Sequence, residues 1–399
     1  MVKKEFFCEL SDGRTVSSYT ITNRYGEYVT VLDYGATIHK IVVRDRNGNL
    51  GDVVLGADPE YFEACTYKGG TIGRCANRIG YGRCVIGGKT LQLEQNMMGH
   101  FLHGASGNYA QKLLTGEIPD GENKVVLHWL DGGDGGWDCK VQADFGFSFD
   151  DEGRLTLCLE MCGDGDTVLN PTNHAYFNLM GTGDVRDHRL WIGADQRVTR
   201  GEMGLPDGGK QGVAGTPADF TAERSIREAL ESDTVGYFRG DKSMFDEFYV
   251  YDDRKMRLAA SLYCPETGRE MKTYTDMPGL VLFCAGGRKP EPGKDGKTNE
   301  GYCAVCLETG FVPNAVNCTG YVSPVFRAGE KLTASMARCA TTSGYGASSI
   351  FAALHPSATK WGRKSEKADV SHSWPVQGEA LKVGASSEYH QLGLHEDAP

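Results

Sequence analysis

The chain has 399 residues, a formal net charge of −11 and 40% hydrophobic residues. That length suits one large β domain or two ordinary domains, and the hydrophobic content is ample for a packed core. There is no run of ~18 apolar residues for a membrane helix, no apolar stretch of a signal peptide after the first lysines, and no basic excess for general nucleic-acid binding. We therefore expect the protein to bind neither a membrane nor nucleic acid. A neutral or cationic small molecule is the expected partner.

Thirteen cysteines are scattered along the chain. Without a secretory signal, this odd number indicates reduced thiols and predicts a cytoplasmic location. Cys303 and Cys306 form a C-x-x-C pair, which suits a redox pair or half of a metal site. The valine, alanine and leucine around them favour two small apolar residues on a buried strand instead. His100 and His103 are spaced H-x-x-H between glycines, which argues against a helix, and we predict no zinc there.

Strand patterns dominate the chain from its N-terminal part onward. Residues 28–45 are rich in β-branched side chains and end in a D-R-N-G-N turn. Residues 82–96 have the pattern of two strands around a Gly-Gly turn, and residues 124–170 continue with alternating segments broken by D-G turns. Helical periodicity is scarce. The best helical candidate is Thr221–Ser232, in which Ile226 and Leu230 are four residues apart.

Many short strands with regular turns predict an all-β sandwich or barrel-like architecture. No linker is apparent before the polar C-terminal part, so we predict one domain over residues 1–345. Residues 346–399 are polar and show no sustained period. We expect them to form a flexible or loosely attached tail.

His174 stands in the stretch VLNPTNHAYFNLMGTG, where polar and aromatic residues crowd together. A lone histidine beside aromatic residues is most often a structural residue. Here the polar residues of Asn170–Asn173 could fix its ring by hydrogen bonds, and Tyr176 and Phe177 could supply a flat apolar wall. Sugar-binding sites combine such elements, because a pyranose has apolar C–H faces and a rim of hydroxyls.

Three further residues stand in contexts that suit function. Glu308 follows an apolar strand and precedes a loop with glycine and proline, a position where functional side chains collect. Its apolar neighbours could raise its pKa towards that of a useful base, although a surface glutamate at a turn is the alternative. His103 lies in a glycine-flanked turn. Asp246 lies among aromatic residues and could accept hydrogen bonds from two hydroxyls.

The segment Gly69–Gly82 places Arg74, Asn77 and Arg78 among glycines. It matches neither of the two common glycine-rich nucleotide fingerprints, whereas arginine and asparagine side chains also bind neighbouring sugar hydroxyls. The sequence shows no recognisable serine or cysteine nucleophile. Two histidines, two carboxylates, an arginine and an asparagine together suit acid–base chemistry on a polyhydroxylated molecule.

In this combination the chain resembles the galactose mutarotase, or aldose 1-epimerase, family. The resemblance runs from about Tyr28 to Met336, and its most specific parts are N-P-T-N-H-A-Y-F-N-L and C-L-E. The matching stretches, in the order of the family, are GRCANRIGYGRCVIGGKTLQL, LHG, DGGDGGW, DTVLNPTNHAYFNLMG, TPADF, FDEFYV, TDMPGLVLFCAGG and CLETGFVPNAVN. The resemblance implies a large antiparallel β-sandwich with few short helices. It also implies interconversion of the α and β anomers of aldose sugars without a metal or an organic cofactor.

The resemblance also implies a role for each candidate residue. Glu308 matches the general base that takes the proton of the C1 hydroxyl, and His174 matches the general acid that protonates the ring oxygen. The positions that hold the hydroxyls of the sugar, or support those that do, are Asn77, Arg78, His103 and Asp246.

The chain departs from the family pattern directly after its C-L-E motif. The family usually has a polar pair with a glutamine there, whereas this chain has Thr309, Gly310 and Phe311. This difference leaves the preferred sugar open. The sequence does not reveal the oligomeric state. Two alternatives also remain. One is a mutarotase for a hexose 6-phosphate, in which Arg74 or Arg83 would supply extra positive charge. The other is a non-catalytic sugar-binding protein of the same fold, which would not need an acid and a base together.

Overall fold

The computed structural model describes residues 1–64, 67–201, 204–232, 244–286 and 289–342. These residues belong to one structural unit, Met1–Gly346. The tail predicted for residues 346–399, and the boundary before it, lie outside the described residues. Both therefore stay predictions.

The described residues form a succession of short strands with one short α-helix. The first part contains β1 (Val2–Glu9), β2 (Thr15–Thr22), β3 (Tyr28–Leu32), β4 (Thr37–Arg44), β5 (Leu50–Asp52), β6 (Thr71–Ile72), β7 (Arg78–Ile79), β8 (Arg83–Ile86), β9 (Lys89–Gln92) and β10 (Phe101–Leu102). The middle part contains β11 (Thr115–Glu117), β12 (Lys124–Asp131), β13 (Val141–Phe149), β14 (Arg154–Gly163), β15 (Thr167–Val168), β16 (Thr172–Asn173), β17 (Tyr176–Phe177), β18 (Arg189–Ile192), β19 (Gln196–Arg200) and β20 (Pro206–Gly212). The last part contains β21 (Arg224–Ser225), α1 (Ile226–Leu230), β22 (Met244–Val250), β23 (Arg257–Tyr263), β24 (Arg269–Thr275), β25 (Gly279–Ala285), β26 (Glu291–Pro292), β27 (Thr298–Asn299), β28 (Val305–Gly310), β29 (Val325–Phe326) and β30 (Lys331–Thr342).

Three sheets carry most of these strands. A five-stranded sheet has the order β1-β2-β3-β4-β5, a six-stranded sheet the order β17-β28-β25-β22-β19-β20, and a nine-stranded sheet the order β11-β12-β13-β14-β30-β24-β23-β18-β21. Neighbouring strands within these sheets run antiparallel. The all-β antiparallel fold expected from the sequence is thereby confirmed.

The three sheets share one hydrophobic core. In β13 the alternation VQADFGFSF sends Phe145, Phe147 and Phe149 inward, where each is at most 2% exposed. The same cluster contains Ile21 from the five-stranded sheet and Leu307 from the six-stranded sheet. The sheets therefore pack face to face, as in a β-sandwich.

The sequence predicted a helix over Thr221–Ser232, and the length of this helix was predicted wrongly. The α-helix covers only Ile226–Leu230, and Arg224–Ser225 form a strand before it. The helix begins at this point because Ser225 accepts a hydrogen bond from the backbone N–H of Glu228, whose side chain accepts one from the N–H of Ser225. This capping box fixes the start of the helix. None of the helices among the described residues is long and apolar enough to cross a membrane.

Candidate active site

The candidate site lies on the outer face of the six-stranded sheet, the face that points away from the core. Strand β25 shows the two faces directly. Leu280 and Leu282 point inward and are at most 1% exposed, whereas Val281 and Phe283 point the other way and are half-buried. Val281 and Phe283 therefore form an apolar floor on the site side of the sheet.

Strand register brings two carboxylates onto this face. Asp246 in β22 lies opposite Phe283, and Phe283 lies opposite Cys306 in β28. Glu308 follows Cys306 by two residues and shares its face, and Tyr176 in β17 lies opposite Cys306 on the other side. Since adjacent strands are about 4.8 Å apart, Asp246 and Glu308 stand on strands separated by about 10 Å. One carboxylate thus lies on each side of the apolar floor.

Glu308 is in close contact with His174. The Nε2 atom of His174 is 3.5 Å from the Oε1 atom of Glu308, and both side chains are less than 10% exposed. His174 lies between β16 and β17, where its backbone N–H donates to the carbonyl of Gly70 at 2.9 Å. The two candidates for acid and base are therefore neighbours in a site that largely excludes water.

Burial raises the pKa of the Glu308 carboxyl from its ordinary 4.5 to about 8. The negative charge of Asp246 adds to this rise, whereas Arg338 and Arg78 oppose it. A carboxylate with such a pKa is a stronger base than one in water, and a useful general base has a pKa near the working pH. The electrostatics thus suit Glu308 to exchange protons near neutral pH.

His174 has two nearly parallel aromatic neighbours, one of which the sequence did not reveal. The ring of Tyr176 is 5.0 Å from the imidazole at an interplanar angle of 16°, and the ring of Tyr67 is 6.0 Å away at 18°. Nearly parallel rings at such distances are in packing contact. Both rings therefore hold the imidazole in its orientation. Tyr67 lies in a loop far from His174 in the sequence, and no local pattern marked it.

Two of the expectations for the surroundings of His174 are wrong. Phe177 does not form a wall of the site, because it is fully buried in the core; of the two aromatic residues expected there, Tyr176 alone lies beside the imidazole. The polar side chains upstream donate to backbone carbonyls instead of to the ring. Their bonds are Asn170 Nδ2 to Phe311 O at 3.2 Å, Thr172 Oγ1 to Thr309 O at 2.9 Å and Asn173 Nδ2 to Gly69 O at 2.8 Å. They hold the segments around His174 in place.

The other candidate residues surround the same space. The Nδ1 atom of His103 accepts a hydrogen bond from the backbone N–H of Asn77 at 3.1 Å. Burial, with His174 and Arg78 nearby, holds the pKa of His103 well below its usual value. His103 is therefore neutral, with its proton on Nε2, and offers a donor to a ligand. The Nη1 atom of Arg78 is 3.8 Å from Asp246 Oδ2 and 3.4 Å from Asn77 Oδ1.

Arg74 is not part of the site. Its guanidinium is completely buried, and its Nε donates to Asp131 Oδ2 at 2.7 Å. Tyr109 also donates to that oxygen, at 2.8 Å, while Nη1 and Nη2 of Arg74 donate to Thr167 and to the carbonyl of Cys139. Arg74 thus anchors the loop that carries Asn77 and Arg78, and it offers nothing to a ligand.

We expect Asp131→Asn to lower the free energy of unfolding by about 3–5 kcal/mol, because it leaves the charge of Arg74 buried without its partner. Urea unfolding measures this loss. The matched control is Asp138→Asn, which breaks the largely exposed pair of Asp138 with Lys89 at 2.6 Å and should cost less than about 1 kcal/mol. Equal losses in the two variants would contradict the anchoring role of Arg74.

The C-x-x-C pair lies buried beside the site. Cys303 and Cys306 pack with Leu55 and Tyr176. Donor atoms of His174, Cys306 and Glu308 lie within 4.8 Å of one another, the single group of this kind in the part of the chain that the structure describes. We assign no metal to this group.

A small recess opens directly beside Glu308. Its walls combine apolar side chains with a few polar groups, among them Asn77, Thr172, Phe248, Val281 and Val312. The space next to the carboxylate thus suits a small ligand with apolar faces and polar edges.

Comparison with known proteins gives consistent matches over most of the chain. The family model for aldose 1-epimerase matches residues 17–338. The aldose 1-epimerase of Escherichia coli K12 is 30% identical over 328 residues, which are 80% of this chain and 94% of that protein. The galactose mutarotase of Rattus norvegicus is 30% identical over 312 residues, which are 76% and 88% of the two chains.

Solved structures show the same fold. The galactose 1-epimerase of Lactobacillus acidophilus superposes with a TM-score of 0.73 at 26% identity, over 86% of this chain and 99% of that one. An aldose epimerase homologue from C. elegans superposes with a TM-score of 0.74 at 24% identity, over 85% and 99% of the two chains.

Proposed function

The chain belongs to the aldose 1-epimerase family and is an isomerase of hexose anomers, and we propose that Glu308 is its general base and His174 its general acid. The observation that carries this proposal is the 3.5 Å contact between Glu308 and His174 inside a buried site. Opening a cyclic hemiacetal needs one proton removed and one proton delivered. The two oxygens concerned are both bonded to C1, so the two groups that serve them have to lie close together.

The reaction proceeds in two balanced steps. Glu308 takes the proton of the C1 hydroxyl, the C1–O5 bond breaks as the C1–O1 bond becomes a carbonyl, and O5 takes a proton from His174. The open aldehyde then rotates about the C1–C2 bond. On reclosure His174 takes the O5 proton back, O5 attacks the other face of C1, and Glu308 returns its proton to O1. Neither residue forms a covalent bond to the sugar.

We propose that the remaining candidates hold the sugar while C1 turns. Asp246 and Arg78 would bind hydroxyls remote from C1, and His103 would donate from Nε2. Asn77 supports them, because its backbone N–H fixes His103 and its Oδ1 accepts from Arg78. Fixing the remote hydroxyls keeps the reacting oxygens beside the acid and the base.

Galactose and glucose are the substrates that we propose. A hexose 6-phosphate is less well supported, because Arg74, one of two arginines considered for a phosphate, is buried with Asp131, although Arg83 is exposed. A binding-only role would not require a buried acid and base in contact. A cytoplasmic location stays our proposal from the many thiols.

Polarimetry of freshly dissolved α-galactose, α-glucose and α-glucose 6-phosphate tests these proposals. We expect the purified protein to accelerate the decay of rotation for the two free sugars beyond the spontaneous rate. Acceleration only for the phosphorylated sugar would overturn the substrate proposal. No acceleration for any of the three, with binding retained, would point to a sugar-binding protein.

The acid–base proposal predicts a pH profile. Because Glu308 must be ionised to take a proton and its pKa is raised to about 8, we expect kcat/KM to rise with pH through this region. An ordinary glutamate would place the rise near its usual pKa of 4.5. Mutarotation rates at constant ionic strength, corrected for the spontaneous rate at each pH, measure the position of this acid limb. A limb below about pH 6 would contradict the role of burial.

A further inference from the structure

Strand β30 places one charged residue among the core residues of the nine-stranded sheet. Leu332, Ala334 and Met336 face the core and are at most 1% exposed. Arg338 continues this series on the same face, since side chains two residues apart point the same way. Its side chain is only 4% exposed and lines an apolar recess of about 280 Å³. A guanidinium at such a position is costly, because a charge has left water.

The contacts of Arg338 compensate this cost only in part. Its Nη2 atom donates to the backbone carbonyl of Leu307 at 3.0 Å, and its guanidinium carbon lies 4.7 Å from the centre of the Phe177 ring. Its buried Nε atom makes no hydrogen bond to the residues that the structure describes. Among the described residues, no carboxylate oxygen lies within ion-pair distance of this guanidinium. A conventional salt bridge in that part of the chain therefore does not explain the charge.

The contact with Leu307 places Arg338 directly behind the proposed catalytic strand. Leu307 lies between Cys306 and Glu308, whose side chains point to the site while that of Leu307 points to the core. Burial lowers the pKa of Arg338 to about 10, and the acidic groups that oppose this lowering are Cys306 and Glu308. Conversely, Arg338 lowers the pKa of Glu308 against the effect of burial. The charge of Arg338 thus acts on Glu308 across the strand.

We propose that Arg338 is a positioning residue for the reaction: its buried charge, held behind β28 by the Leu307 carbonyl, favours the carboxylate form of Glu308 that accepts the proton. This inference rests on the role of Glu308 as the base. Arg338 does not line the sugar site, so it acts through Glu308 and not on the substrate. The other charged or titratable groups around Glu308 come from three elements and a loop, and they are His174, Cys306, Asp246 and Arg78.

The decisive variant is Arg338→Gln, which keeps an amide donor for the Leu307 carbonyl and removes the charge. We expect the acid limb of its kcat/KM profile to move to higher pH by about one pH unit, because the carboxylate of Glu308 loses a stabilising charge. At a pH below the limb, kcat/KM should fall about tenfold. Above the limb it should return to the wild-type plateau, with KM unchanged. A merely structural role would lower the plateau and leave the limb in place.

Two further variants complete the test. Arg338→Lys keeps a positive charge and should leave the limb close to its wild-type position. The matched control is Arg269→Met, which removes another buried arginine that donates to backbone carbonyls, those of Leu179, Val43 and Asn49. The acidic groups that act on Arg269 are Asp45 and Cys264, not Glu308. This control should lose stability without moving the limb.

A limb that stays in place in Arg338→Gln overturns the proposal. If Arg338→Gln does not fold, Arg338→Lys decides. A displacement of the acid limb of Arg338→Lys by as much as one pH unit would show that the positive charge does not set the pKa of Glu308. Glu308→Gln, measured beside these variants, keeps the two proposals apart. Full activity in that variant would remove Glu308 as the base, whatever the Arg338 variants do.

Discussion

Glu308→Gln is expected to lower kcat by about 10²–10⁴-fold, because the amide keeps the shape of the carboxyl group but cannot accept the proton of the C1 hydroxyl. KM should change little, since Glu308 acts on the reacting oxygen while Asp246 and Arg78 would hold remote hydroxyls. Polarimetry with α-galactose over a range of concentrations separates the two constants. A suitable control is Glu291→Gln, which alters the half-exposed partner of Lys68 at 2.7 Å. Retained turnover in Glu308→Gln would contradict the base assignment.

The same variant should be more stable than the wild type at high pH. The folded protein raises the pKa of Glu308 from 4.5 to about 8, so between these values the folded state holds a proton that the unfolded chain has released. The stability of the wild type therefore falls as pH rises from 4.5 through 8. The amide introduced by Glu308→Gln would resemble the protonated carboxyl and escape this loss, which amounts to at most a few kcal/mol.

Thermal unfolding at about pH 9 and at about pH 5 measures the difference between the two proteins. We expect Glu308→Gln to have the higher Tm at the upper pH and a Tm close to that of the wild type at the lower pH. A lower Tm of the variant at both values would mean that the carboxylate stabilises the fold. In that case burial would not be the dominant influence on Glu308.

The parts of the fold that the sequence predicted best are those with a strong local signal. The alternation in β13 marks its core face residue by residue, and the Gly87–Gly88 pair marks a hairpin turn because both residues have positive φ. The helix predicted for Thr221–Ser232 was too long, because apolar spacing alone does not determine where a helix begins. The capping box of Ser225 and Glu228 does fix it, and that signal is independent of the apolar spacing.

The candidate site divides in the same way. Local motifs marked Glu308 and His174, which are separated by more than a hundred positions in the sequence. Their 3.5 Å contact depends on strand pairing that no local pattern encodes. Tyr67 and Arg338 went unnoticed for this reason, since each acquires its meaning only from packing against another sheet or loop. Arg74 shows the opposite error. Its sequence context of glycines and asparagine resembles a ligand loop, whereas its partner Asp131 lies 57 residues away.

His174→Phe is the second variant with a large expected effect. Phenylalanine can replace the imidazole beside Tyr176 and Tyr67, whose rings lie nearly parallel to it, but it has no proton to give to O5. We expect kcat to fall by about 10²–10⁴-fold while the free energy of unfolding changes by less than about 1.5 kcal/mol. His174→Asn should lose as much activity and more stability, because the smaller side chain leaves a gap between aromatic rings.

The matched control for these variants is His188→Asn, which removes a buried histidine outside the site. The Nε2 atom of His188 accepts a hydrogen bond from the backbone N–H of Leu179 at 3.1 Å, and burial lowers its pKa to about 4. This variant should lose stability but keep its turnover per folded molecule. If His174→Phe instead keeps full activity, His174 is not the acid. If it fails to fold while His188→Asn folds, the imidazole of His174 is primarily a structural group, because its hydrogen bonding would matter more to the fold than its proton does to the reaction.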